Sequence, residues 1–283
     1  MKRASIIGII LGASVLSLWL LLAWLGKTES NYRQPDPGLR YGIPSELEQT
    51  NSTPKVYQPS RFINGEVSIY KVRVEKGILT LPAGKVTFTA DLLDANSTKR
   101  WQFTLKGSAI GGLVKYDVTS IVNASFTHAL EYHTVQTDLA SRKVDLAFDE
   151  KNLHCKRTLN GNSNGSVDTE PSTFDPLSII FKFRETNLEQ PGGFSSAVCD
   201  GKATFSAKVA VVGKKEIKIG EKTYKAILVE PDLGNLRGIF KKDPSAKLQI
   251  WLSDDSHRTA LRIKTKIKHG TFIADLGDYQ RPE

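Results

Sequence analysis

Apolar and polar positions divide the chain into three stretches. Ile6 to Leu25 carries no charge, follows Met1-Lys2-Arg3 and precedes Lys27. At about 1.5 Å per residue, a helix of that length crosses the roughly 30 Å of bilayer hydrocarbon. Residues 1–27 are therefore predicted to be a signal anchor, the other reading being a long signal peptide. Ala23-Trp24-Leu25-Gly26-Lys27 offers bulky residues where a cleavage site wants small ones, which favours retention. Lys2 and Arg3 keep the N-terminus cytoplasmic and send the remainder across the membrane. Residues 28–60 are polar and contain Pro35, Pro37, Pro44, Pro54 and Pro59, the composition of an extended tether.

From Glu66 the period changes to two. Val67, Ile69, Lys71 and Arg73 alternate with Ser68, Tyr70, Val72 and Val74, and Lys85 to Ala90 and Trp101 to Leu105 repeat the habit. Gly111 and Gly112 suggest a bend or bulge between Ile110 and Leu113. Further strands are predicted within 116–132 and at 143–148 and 153–157, followed by a polar, turn-rich stretch at 160–169. A coil at 187–193 leads to strands near 203–212, 216–219, 224–231, 247–252, 260–268 and 271–276. One segment breaks the alternation. Asp175-Pro176-Leu177-Ser178 suits a helix start, and Ile179, Ile180 and Phe183 then share a face. The expected class is mainly β: a highly curved antiparallel sheet, or open barrel, over residues 61–279, with one short packed helix and the N-terminal transmembrane helix.

That helix has two readings. It is either a permanent part of the core or a lid over an apolar cavity, in which case Trp101, Ile179, Ile180, Phe183 and Trp251 would line a site for acyl chains or lipid-modified proteins.

Charge narrows the choice of partner. The formal net charge is +9, with Lys2, Arg3 and Lys27 at the membrane end. Arg262, Lys264, Lys266 and Lys268 alternate with Leu261, Ile263, Thr265 and Ile267, giving a cationic strand face that is either solvated or set against an anionic leaflet. Nucleic acid is disfavoured by the compartment and by the lack of any recognition motif. Two cysteines, Cys155 and Cys199, in a chain expected outside the cytosol suggest one disulfide, with two separate buried thiols as the alternative.

Candidate chemistry is sparse. Asp254 and Asp255 are adjacent, but Ser253-Asp254-Asp255-Ser256-His257 has the composition of a tight turn. His128, His133, His154 and His269 lack metal-ligand spacing, so no metal or cofactor is expected. Ser195 and Ser196 do not form a hydrolase elbow, and no nucleophile has a recognisable base. The reading is non-enzymatic.

Three landmarks recur in order: Asp175-Pro176-Leu177-Ser178 before an apolar helix ending at Arg184, Val198-Cys199-Asp200-Gly201-Lys202 before a strand, and Ile250-Trp251-Leu252-Ser253-Asp254-Asp255 before a strand closing at Gly270. Together they resemble a bacterial exported domain family of unknown function, number 3108, over roughly residues 60–277. The resemblance implies a Gram-negative envelope protein with a curved antiparallel sheet like the unclosed barrel of periplasmic lipoprotein carriers. The two cysteines and the long leader depart from the pattern expected of that family. The expectation is an inner-membrane, single-pass protein with its β domain in the periplasm, binding a lipid, a lipid-modified protein or another apolar envelope component. The alternative is a scaffold with a filled core that recruits an envelope protein partner.

Overall fold

The computed structural model describes residues 61–95, 98–109, 112, 114–137, 141–188, 193–232, 247–267 and 270–282. The predicted leader and tether, Lys268, His269 and most of the Ile110–Leu113 bend lie outside the described residues.

The alternation seen from Glu66 onward becomes β1 (Glu66–Lys76), β2 (Leu79–Ala95), β3 (Thr98–Ala109), β4 (Val114–Asn123) and β5 (Ala129–Thr137). The meander continues through β6 (Arg142–Asp149), β7 (His154–Leu159) and β8 (Asn162–Asp168). Helix α1 (Ser178–Glu185) intervenes before β9 (Phe194–Cys199), β10 (Thr204–Ile219), β11 (Lys222–Pro231), β12 (Lys247–Ser253), β13 (Ala260–Ile267) and β14 (Gly270–Gln280). All fourteen strands form one antiparallel sheet in the order β8-β7-β6-β5-β4-β3-β2-β1-β14-β13-β12-β11-β10-β9. Thus β1 pairs with both β2 and β14, zipping the two halves together at the middle of the sheet.

Bulges curl it. Register shifts fall at Ile69/Tyr70, Val72/Arg73, Ile121/Val122, Val211/Gly213 and Trp251/Leu252. Each adds local twist to the strand that carries it. The two edge strands are thereby brought near one another without forming a ladder. The segment after β8 lays Phe174 beside Val198 in a single parallel bridge, and Thr204 Oγ1 donates to Asp168 O at 2.7 Å. This is the seam of a nearly closed barrel, and α1 lies inside it.

Two elements differ from the sequence expectation. Residues 162–168 form edge strand β8 rather than turns; its outer position leaves both faces mostly exposed, so no apolar alternation marks it. The stretches 203–212 and 216–219 are one long strand, β10, with the Val211/Gly213 irregularity where a break is predicted. Gly213 has φ 136°, a conformation that suits glycine at this bulge.

Candidate functional site: the plugged interior

The helix enters the barrel through a polar anchor. Asp175 is fully buried, and its Oδ1 accepts the N–H groups of Leu177 at 2.8 Å and Ser178 at 2.9 Å. Its Oδ2 accepts the Ser178 hydroxyl at 2.7 Å and the Ser120 hydroxyl from β4. The carboxylate therefore organises the turn ahead of α1, as the Asp-Pro signal suggests, and also ties that turn to the barrel wall. Burial pushes its pKa above the usual carboxylate value, opposed by these four hydrogen bonds.

A carboxyl whose folded pKa is raised binds its proton more readily folded than unfolded, so its contribution to stability improves as pH falls through the raised pKa toward the unfolded value of 3.8. Asp175→Asn keeps an acceptor for the two N–H groups and removes the charge. Denaturant titrations should show the stability difference between wild type and Asp175→Asn changing across that acid window and flat at neutral pH. Asp175→Ala should be destabilised throughout, because it leaves buried donors unpaired.

The middle of α1 is held by aromatic packing. Phe181 stacks on Phe103 of β3 at 4.2 Å and 24°, and Phe62 meets Phe103 at 5.1 Å, Phe126 at 5.3 Å and Phe181 at 5.8 Å. Trp101 stacks beside Phe103 at 6.2 Å. Phe126 takes φ 54° in the β4–β5 turn, a left-handed backbone that directs its ring into this cluster. Burial of that ring offsets a strain of about 1–3 kcal/mol. Lys182 donates to Phe126 O at 3.0 Å and lies over the Phe126 and Phe174 rings, with its pKa lowered by burial.

The C-terminal turn is fixed by charge. Arg184 and Glu66, both buried, form a two-armed ion pair at 2.7 and 3.1 Å. The guanidinium also donates to Arg61 O at 3.0 Å and His257 O at 3.2 Å, and lies 4.6 Å from the Phe62 ring centroid. The residues of this ion pair are 118 positions apart in sequence. Both ends of α1 are thus bonded to different parts of the barrel wall, which is the arrangement of a plug.

Among the described residues, little space remains beneath it. A gap of about 30 Å³ bordered by Tyr70, Phe88, Ile180, Phe181, Ile250 and Ile263 has room for about one water. A pocket for an acyl chain or drug-sized ligand needs roughly 300–1,000 Å³.

Of the five predicted lining residues, Trp101, Ile179, Ile180 and Phe183 come together around α1. Trp251 does not. Leu248, Ile250 and Leu252 take the inward positions of β12, so the alternation turns Trp251 to the outer face, beside Ile217, Ala226, Leu261 and Tyr224.

The cationic strand is also less uniform than predicted. Arg262 is bonded to Asp275 and donates to Lys218 O at 3.1 Å, Lys264 is half-buried, and Lys266 is exposed. Asp255 accepts the N–H groups of His257 at 2.8 Å and Arg258 at 3.0 Å, which makes 254–257 the tight turn its composition suggests.

Cys155 and Cys199, the pair expected to form a disulfide, do meet across the seam, as two buried thiols. They are hydrogen-bonded to each other, Gly201 N–H donates to Cys199 Sγ at 3.3 Å, and the Cys155 thiol is pushed up by its bond to Cys199 and by burial. The sequence gives no sign of the buried polar group beside them. Arg157 is buried with no acceptor for Nε and Nη2 among the described residues, and burial lowers its pKa while Asp200 opposes that shift.

The model of the family described as "Protein of unknown function (DUF3108)" matches residues 66–277. The chain belongs to that family. The DUF3108 match covers every strand from β1 to β13 and most of β14. A crystal structure of a beta-barrel-like protein of the domain of unknown function DUF1849, from Brucella abortus, is similar at 9% identity and TM-score 0.52, covering 78% of this chain and 99% of that one. At that identity the likeness shows the barrel-like fold alone. A structure described as a candidate lipoprotein from Parabacteroides distasonis matches at 9% identity and TM-score 0.33, covering 79% of this chain and 98% of the other. Among curated proteins nothing matches.

Proposed function

We propose that this DUF3108 protein is a non-enzymatic, inner-membrane-anchored scaffold of the bacterial envelope, working through the outside of its barrel. The observation that carries the reading is the bonded plug: Asp175 and Arg184 tie α1 to the wall at both ends, and the gap that the described residues leave beneath it is about 30 Å³. Residues 6–25 supply the anchor, residues 28–60 the tether, and the barrel stands in the periplasm, where an envelope protein is the partner. The curved sheet resembles that of periplasmic lipoprotein carriers, but a carrier of lipid or lipoprotein acyl chains needs far more room than the gap of about 30 Å³ that the described residues leave beneath α1.

Mass spectrometry of the full chain purified in mild detergent tests this directly. No lipid should stay bound in stoichiometric amount after detergent exchange. One tightly held acyl lipid per chain, released only on unfolding, would overturn the scaffold reading in favour of a carrier.

In an oxidising periplasm the Cys155–Cys199 pair is poised to close the seam, its two protons and two electrons passing to a disulfide oxidant. Alkylation with and without reductant, after denaturation, should show both cysteines blocked in protein taken from the periplasm. Two freely alkylated thiols in unreduced protein would contradict it.

A further inference from the structure

The β1–β2 hairpin reaches beyond its neighbours. β3 ends at Ala109, opposite Gly84, so, among the described residues, positions 79–82 of β2 pair with β1 alone. Val74 is buried, but its cross-strand partner Leu81 is 41% exposed, Leu79 is 60% exposed, and Ile78 in the turn is 100% exposed. Val72, Val74, Leu81 and Leu79 follow one face, so the apolar lining of the barrel continues along the hairpin into exposed positions. Among the described residues, six large apolar side chains are exposed, and three of them are on this one hairpin. Scattered exposed apolar residues are ordinary; a cluster on a protruding tip is not. A two-residue hairpin turn favours small polar residues such as Asn and Asp beside Gly, so Ile78 after Gly77 is not dictated by turn geometry.

Among the described residues, the exposed charges around the tip that have no ion-pair partner are cationic. Lys76 pairs with Leu79 across the turn and is exposed. Lys85 and Lys115 flank Ser108 on adjacent strands, both exposed, on a groove of about 550 Å³ that also includes Val135. Lys106 on the same groove is 3.6 Å from Asp117, and Glu75 is bonded to Arg73, so the carboxylates nearest the tip already have cationic partners. Apolar side chains at the apex with ammonium groups set back from them match the layering of an anionic bilayer, with hydrocarbon beneath phosphate.

We infer that the β1–β2 hairpin inserts Ile78, Leu79 and Leu81 into an anionic phospholipid surface while Lys76, Lys85 and Lys115 contact the headgroups. This end of the barrel then faces lipid, and the opposite end, with the β10–β11 turn, faces away. The inference stands on the hairpin and does not require the leader to be retained.

The full chain is reconstituted in phosphatidylethanolamine/phosphatidylglycerol vesicles with an environment-sensitive fluorophore on Ile78→Cys. Unsubstituted chain treated with the same reagent sets the background from Cys155 and Cys199, and Glu221→Cys places a control label in the exposed β10–β11 turn. Emission from position 78 should shift to the blue and be quenched several-fold more by spin-labelled lipid than emission from position 221. The shift should disappear when Leu79→Ser and Leu81→Ser are added. Water-like emission at 78, or quenching by a second labelled chain in place of lipid, would overturn the inference. If the leader proves to be cleaved, the same label read on soluble protein with added vesicles gives the same two outcomes, so failure of anchoring and failure of the hairpin are separable.

Discussion

Arg184→Ala is expected to destabilise the protein by about 3–5 kcal/mol, the cost of leaving one member of a buried ion pair alone. Glu66 would remain buried without its two-armed partner, and Arg61 O, His257 O and the Phe62 ring would each lose a contact. Urea unfolding followed by tryptophan fluorescence should show a large drop in midpoint, because Trp101 lies in the cluster that Arg184 helps to close. The double variant Arg184→Met with Glu66→Gln removes both charges and should recover much of the loss. If Arg184→Ala were within about 0.5 kcal/mol of wild type, in the range of ordinary surface substitutions, the ion pair would not be holding the plug.

Phe181→Ala is the second large effect, expected to cost about 3–5 kcal/mol as a large-to-small change in a packed core. Phe181 touches Phe103, Phe62 and Phe88, three rings carried by different segments of the chain, so collapse of the surroundings into the vacated space is restricted. Ile180→Ala makes the informative contrast. Ile180 is half-buried at the border of the small gap, so its truncation should cost distinctly less. Thermal unfolding of both variants would check the order, and equal losses would mean that the aromatic stack is not the centre of the core.

Much of this architecture is legible in the sequence because it depends on local periodicity. The period-two runs identify the strands, and Asp175-Pro176 followed by Ile179, Ile180 and Phe183 identifies the one described helix. Edge strand β8 escapes because a strand exposed on both faces has no reason to alternate. Trp251 is a different kind of miss: its place on the outer face follows from Leu248, Ile250 and Leu252, whose spacing commits the inner positions, and the bulk of the indole distracts from that parity.

The contacts that decide between lid and plug are not local. Ser120 is 55 positions from Asp175 and Glu66 is 118 from Arg184, and nothing in either neighbourhood announces its partner. Phe181 falls off the apolar face assigned to the helix, yet a helix enclosed by a barrel can bury more than one face. The apolar hairpin tip is hidden for a related reason: Leu79 and Leu81 continue a proper inward stripe, and their exposure follows from where the β2–β3 pairing stops, at Gly84 and Ala109.

Hydrogen exchange resolved at individual amides tests most directly whether α1 is a permanent part of the barrel. The amides of Phe181 to Glu185 should exchange as slowly as those of Phe103 to Leu105 in β3, opening only with global unfolding. Exchange of the helix within minutes while β3 stays protected, with added phospholipid changing the helix rate, would identify a moving lid and contradict the plug.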